Sequence, residues 1–164
     1  LGKRVRGNPP RVRISPPPPE FGIQISAKNM LTIKASAKPS SINNIGLFAE
    51  EDILKGTITW KFNGQFDILF DPKEVEKMPS EQRKLISTYS YLSKITGKYV
   101  YSIDDSRFTN HSSLRNNIDS IASPNEPEAL GVANRDIKKG EEILANYRAF
   151  DIHDETSNEE YLNN

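Results

Sequence analysis

The sequence predicts a mainly β fold with one small helical insert, on three observations. Short apolar and aromatic stretches recur between residues 22 and 151, broken by Gly, Asn and Pro. Helix-capping signals are confined to about residues 71–97. Strands and helices do not alternate over lengths that would build a parallel α/β sheet, and neither internal repeats nor heptads occur.

The clearest strand signal is TITWKFNGQFDILF, residues 57–70. Ile58, Trp60 and Phe62 alternate with Thr57, Thr59 and Lys61, and Asn63-Gly64 offers the positive φ values of a two-residue type I′ turn. The segment therefore reads as a β-hairpin. Next, Asp71-Pro72-Lys73-Glu74 reads as an N-cap, a proline at the first helical position and a capping-box glutamate. Pro79 breaks that helix, and Ser80 reads as the cap of a second one. Its Leu85, Tyr89 and Leu92 fall at i, i+4 and i+7, and Gly97 ends it. Extended pieces return at about residues 99–103, 129–133 and 143–147.

A chain of 164 residues suits one domain. Residues 1–21 read as a basic, proline-rich, extended arm and 22–151 as the folded domain. Residues 152–164 read as an acidic, solvated tail. The formal net charge of zero hides this gradient. Lys3, Arg4, Arg6, Arg11 and Arg13 crowd one end, while Asp151, Asp154, Glu155, Glu159 and Glu160 crowd the other. Five charges without interleaved aromatics give no nucleic-acid site beyond weak contact of the arm. A chain that starts at Leu1 reads as a fragment or a processed product.

Several chemistries are excluded. The chain has no cysteine, so disulfides, thiolate zinc sites and cysteine nucleophiles are out. His111 and His153 are far apart and lack an HExxH spacing, so no metal site is expected. Neither GxxxxGK[ST], GxGxxG nor a GxSxG elbow occurs. No apolar run approaches the roughly 20 residues of a membrane helix, and the basic start has no apolar core of a signal peptide behind it. The expectation is an intracellular protein, cytoplasmic or nuclear, with no membrane partner; its oligomeric state is left open.

Three separated stretches, in order, resemble the signatures of the SET-domain protein lysine methyltransferases. NNIGLFAEEDILKG, residues 43–56, resembles a GxGxFA segment followed by an I-x-x-G turn, with Asn44 in place of the first glycine. RFTNHSSLRN, residues 107–116, resembles RFxNHSCxPN, with Ser113 for cysteine and Arg115 for proline. VANRDIKKGEEILANY, residues 132–147, resembles the A-x-R-D-I-x-x-G-E-E-L-x-x-D-Y ending, with Ile143 for leucine and Asn146 for aspartate.

The resemblance implies a β-clip fold in which the third stretch is threaded beside the second as a C-terminal pseudoknot. It implies methyl transfer from S-adenosylmethionine to a lysine of a protein substrate, a histone or another protein, in a narrow tyrosine-lined channel. A lysine of pKa about 10.4 must lose its proton to attack, which at pH 7 costs roughly 4.6 kcal/mol unless desolvation and nearby positive charge lower it. Tyr147 is implied as the catalytic residue, and Tyr101, favoured over Tyr99, as an aromatic wall. Asn44, Ile45, Gly46, Leu47, Arg107, Asn110, His111 and Phe150 are implied around the cofactor, with Phe150 as an aromatic lid. For His111, locking the pseudoknot stands beside ligand contact. Ala145 stands two before Tyr147, where the family often has Phe or Tyr, so no methylation number follows. The departures at Asn44, Ser113, Arg115 and Asn146 keep open a second reading, a SET-like binding module that has lost transfer.

Overall fold

The computed structural model describes residues 30–163. The expected basic arm and the expected domain start at residue 22 lie outside them. The elements in order are β1 (Ala35–Pro39), β2 (Ile45–Ala49), β3 (Ile58–Trp60), β4 (Asp67–Phe70), α1 (Pro72–Lys77), α2 (Ser80–Tyr89), β5 (Ser90–Leu92) and β6 (Tyr99–Ser102). Then follow β7 (Asn110–His111), β8 (Ile118–Ile121), β9 (Leu130–Ala133), β10 (Glu142–Ala145) and α3 (Ile152–Glu155). Short 3-10 turns cover Asp105–Phe108, Tyr147–Ala149 and Glu160–Asn163.

The strands form two sheets. The larger runs β1-β2-β10-β8-β9-β3, with β7 also on β10, and the smaller runs β4-β6-β5. The last strand in sequence is thus central in space: β10 is antiparallel to β2 and parallel to β7 and β8. This is the mainly β, SET-type β-clip arrangement, with the third motif laid against the second. The core explains why those motifs are apolar where they are. Leu47, Ala49 and Ile53 of the first stretch pack with Ile118, Ala133, Ile137 and Ile143. Ile53 and Ile137 also exchange both backbone hydrogen bonds, each 2.8 Å. The I-x-x-G turn and the R-D-I turn are therefore one structural joint.

The expected hairpin over residues 57–70 does not form. β3 pairs with β9 and β4 with β6, in different sheets. Positive φ among the described residues is confined to Asn44, Gly56, Gly97 and Gly140, so Asn63-Gly64 makes no type I′ turn. Instead the Asn63 carbonyl accepts from both Phe66 N–H (2.8 Å) and Asp67 N–H (2.7 Å). The Asp67 carboxylate accepts from Asn63 N–H at 2.7 Å, closing a tight polar turn that turns β4 away from β3.

The helical insert is present but shorter than expected. Asp71 caps α1 by accepting from Lys73 N–H at 2.9 Å, with Pro72 at the first position, as the sequence reads. Glu74 turns to Lys77 at 2.7 Å rather than back to the cap. The cap of α2 is Pro79, not Ser80, and it makes no side-chain bond. Its buried side chain is Ile86, whereas Leu85 is 50 % exposed. The helix stops at Tyr89, so Leu92 belongs to a strand. Gly97, at φ 65°, turns β5 into β6 rather than ending a helix.

Residues 152–163 are not a solvated tail. Asp154 is buried in α3, and Leu162, 1 % exposed, is sunk against the domain. Glu155 pairs with Lys94 at 2.9 Å. Leu162 supplies the apolar anchorage that the surrounding run of acids conceals in the sequence.

Candidate active site

β10 runs directly into the 3-10 turn that begins at Tyr147, and Asn146 caps that turn by accepting from Arg148 N–H at 3.1 Å. An asparagine oxygen does here what an aspartate oxygen does at a cap, so this departure keeps the turn. The Tyr147 hydroxyl donates to the Thr109 carbonyl at 2.5 Å, and its backbone N–H donates to His111 Nδ1 at 3.0 Å. Tyr147 is thus fixed at both ends by the second motif. Burial, with Asp154 and Asp151 nearby, pushes its phenol far above the ordinary range. Its proton stays on, and Tyr147 is no tyrosinate base near neutral pH.

Both nitrogens of His111 are committed. Nδ1 accepts from Tyr147, so Nε2 carries the proton and donates to the Leu162 carbonyl at 3.3 Å. The ring therefore ties the second motif to Tyr147 and to the last described turn. Burial holds its pKa below the ordinary value of 6.5. A histidine kept neutral in the fold favours the folded state fully above 6.5, and that contribution is lost as pH falls below it, because the unfolded chain takes up the proton first. We expect urea stability to decline below pH 6.5 and the slope between pH 5 and 7 to flatten in His111→Asn. An unchanged slope in that variant would remove His111 as the cause.

A cleft of about 1210 Å³ opens between this turn, the β5–β6 hairpin and the β8–β9 side of the larger sheet. An aromatic row walls it. Tyr91 meets Phe150 edge-on at 4.9 Å, Phe150 meets Tyr147 at 5.8 Å, and Tyr147 meets His111 at 5.2 Å. Tyr99 stands beside them with its hydroxyl 3.1 Å from His153 Nε2. Asp151 and Asp154 add carboxylates to the lining. Asp151 is pushed above the usual carboxylate range chiefly by burial.

Of the residues singled out from the sequence, Arg107, His111, Tyr147 and Phe150 line this cleft together. Tyr99 also lines it, whereas Tyr101 is not among the lining residues. Asn44, Ile45, Gly46, Leu47 and Asn110 are not among the lining residues. Asn44 takes φ 31°, the left-handed geometry that asparagine tolerates, and enters β2. Leu47 is core, and the Ile45 carbonyl accepts from Asn110 Nδ2 at 3.1 Å. Asn110 Nδ2 also donates to Glu142 at 2.8 Å, and Ser40 donates to the same oxygen at 2.8 Å. This network covers Gly46. A Cβ there would lie 2.8 Å from Glu142 Cδ and 3.0 Å from Asn110 Nδ2, so the close approach that Gly46 permits is to side chains. Gly46→Ala must displace Glu142 from two partners and is expected to cost about 1–3 kcal/mol in urea unfolding. A loss under about 0.5 kcal/mol would show that the network is slack.

Among the described residues, three buried donors of residues that line the cleft have no partner: Thr59 Oγ1, Trp60 Nε1 and Arg107 Nε. The Arg107 guanidinium lies 4.9 Å from the Phe108 ring centroid and 5.9 Å from that of Tyr89.

With this geometry in place, known proteins provide a decisive comparison. The SET domain family model matches residues 44–148. The chain belongs to the SET-domain family. A search of curated proteins returns no match. Among solved structures, a Plasmodium falciparum protein described as a candidate histone methyltransferase is similar in fold, with a TM-score of 0.50 and 21% identity. The similarity covers 69% of this chain and 91% of that one.

Sequence reasoning missed two important residues of this SET domain. Asn117, next to the matched Asn116, is fully buried and bonds β10 through both ends of its amide: Leu144 N–H to Oδ1 and Nδ2 to the Glu142 carbonyl, each 2.8 Å. Tyr91 was hidden by the helix period carried through Leu92, although SYL after the helix is a strand-like alternation. The Arg115 departure also has a use. Its N–H donates to Ser112 Oγ at 2.9 Å, a bond that proline could not make.

Proposed function

We propose that this SET-domain protein is an S-adenosylmethionine-dependent protein lysine N-methyltransferase acting on a histone or another lysine-bearing protein. The observation that carries the reading is Tyr147. Its proton is given to the Thr109 carbonyl, so the lone pairs of the hydroxyl remain for an incoming N–H or an activated methyl group. Tyr91, Tyr99 and Phe150 are the walls that strip water from a lysine side chain. Desolvation favours the neutral amine, and the acidic groups of Asp151 and Asp154 on the lining attract the ammonium form into the cleft.

The residues present fit the cofactor. The unpartnered Arg107 Nε suits a carboxylate, and Asn110, with both N–H groups engaged internally, keeps Oδ1 as an acceptor for an ammonium. The Ile45 carbonyl holds Asn110, and His111 acts through its backbone while its ring holds Tyr147. The cofactor supplies the electrophilic methyl group; the chain supplies alignment and a dry channel.

Calorimetry with S-adenosylmethionine, followed by labelled methyl transfer to histones and to cell extract, tests the reading. Micromolar cofactor binding and label on protein lysine are expected. Binding without transfer would favour the SET-like binding module, and no binding would remove the enzyme.

A further inference from the structure

Glu128 lies in the loop before β9, outside the three matched stretches, and is 2 % exposed. A carboxylate so deep needs a reason to be there. Its two oxygens reach across to the β5–β6 turn. Oε2 accepts from Ser93 Oγ and Oε1 from Thr96 Oγ1, each at 2.8 Å. The Ser93 hydroxyl already accepts from the backbone N–H groups of Ile95 (3.0 Å) and Thr96 (3.1 Å), so its own proton goes to Glu128.

The same turn is tied on its other side to the segment that follows Tyr147. Ser93 bridges Asp151, Lys94 N–H donates to the Phe150 carbonyl at 3.1 Å, and Lys94 Nζ donates to the Arg148 carbonyl at 2.8 Å. One buried carboxylate therefore supports a turn that carries Tyr91 two residues before Ser93 and grips Phe150 opposite. Tyr91 and Phe150 are the rings that touch at 4.9 Å across the cleft.

We infer that Glu128 is a positioning residue of the lysine channel, setting the spacing of its Tyr91 and Phe150 walls through the Ser93–Thr96 turn. This inference rests on the methyltransferase reading of the cleft. Glu128 touches no reacting atom. Its carboxylate, after burial itself, also helps to keep the Tyr91 phenol protonated. A channel wall on an unsupported hairpin turn drifts, and a misplacement of about 1 Å in a reacting pair is enough to cost on the order of 10²-fold in rate.

The test compares wild type, Glu128→Ala and Glu128→Gln, each shown folded by circular dichroism at the assay temperature. The readouts are kcat and KM for a lysine peptide that the wild type methylates, and the dissociation constant for S-adenosylmethionine. Glu128→Ala is expected to lower kcat/KM for the peptide on the order of 10²-fold, with cofactor affinity changed less than about twofold. Glu128→Gln keeps the volume and can still accept from Ser93, so it is expected to recover most of the rate. A loss of rate that simply follows the folded fraction, or Glu128→Ala within about threefold of wild type, overturns the inference. Should Glu128→Ala fail to fold, Thr96→Val removes the Glu128 Oε1 bond while leaving the Ser93 bonds of the turn in place; a lowered kcat/KM for the peptide with unchanged cofactor affinity then supports the inference, and a rate equal to wild type overturns it. If wild type transfers no methyl to any peptide, the proposed function falls, and peptide binding by calorimetry decides the inference: weaker binding by Glu128→Ala with rescue by Glu128→Gln supports it, and equal binding by all three overturns it. Absence of both transfer and binding removes both.

Discussion

Tyr147→Phe is expected to reduce methyl transfer by on the order of 10²–10³-fold, the effect of deleting one preorganised polar group at a reacting centre. Phenylalanine keeps the ring and its edge contacts with Phe150 and His111. It removes the oxygen that the Thr109 carbonyl orients. The variant should lose about 1–3 kcal/mol of stability, because that carbonyl is left without its donor. It should remain folded, and its S-adenosylmethionine affinity should stay within a few-fold of wild type, since the backbone bond from Tyr147 N–H to His111 is untouched. Single-turnover transfer with labelled cofactor separates the two effects. Retained transfer at the wild-type rate would move the chemistry away from Tyr147.

The largest effect on stability is expected at Asn117. Asn117→Ala leaves the Leu144 N–H and the Glu142 carbonyl without partners in the buried centre of the larger sheet. With each orphan worth about 1–3 kcal/mol, the variant should be destabilised by about 3–4 kcal/mol in urea. Its neighbour offers an internal control. Among the described residues Asn116 Nδ2 bonds the Ile118 carbonyl and Asp119, close to the surface, and Asn116→Ala should cost about 1 kcal/mol or less. Equal losses at the two positions would contradict the assignment of the clamp to Asn117.

The family, the β-clip and the partners of the third motif were legible because they rest on ordered sets of residues whose apolar members share one core. Asp71 and Pro72 were legible because a cap acts within three residues. The Asn63-Gly64 hairpin was misread for the opposite reason. A local turn signal was outweighed by strand partners, β9 and β6, that lie far off in the chain. The end of α2 was misread because Leu85, Tyr89 and Leu92 satisfy a helical period that the structure does not use, with Leu85 turned to solvent. Within the site, Tyr147, His111 and Arg107 came from motif matching, and Phe150 from the need for an aromatic lid after Tyr147. Tyr91, Asn117 and Glu128 did not, because what makes them important is contact across tens of residues. The anchoring of Leu162 was equally invisible from composition, since one buried leucine among acids carries no periodicity.

The central place of β10 has a temporal consequence. Ser40 and Glu142, which share a hydrogen bond beside Gly46, are 102 residues apart. During synthesis β2, β7 and β8 are made before the strand that lies between them exists, so the larger sheet keeps a gap until β10 is made. Neither the Tyr147 turn nor the floor of the cleft can assemble until β10 arrives and slots in. Such long-range closure places folding in the millisecond-to-second range rather than the microseconds of local helical folds. It also leaves the cleft unformed until β10 has been made. The edges of β2 and β8 stay exposed in the interval, which is when this chain is most open to pairing with the wrong strand.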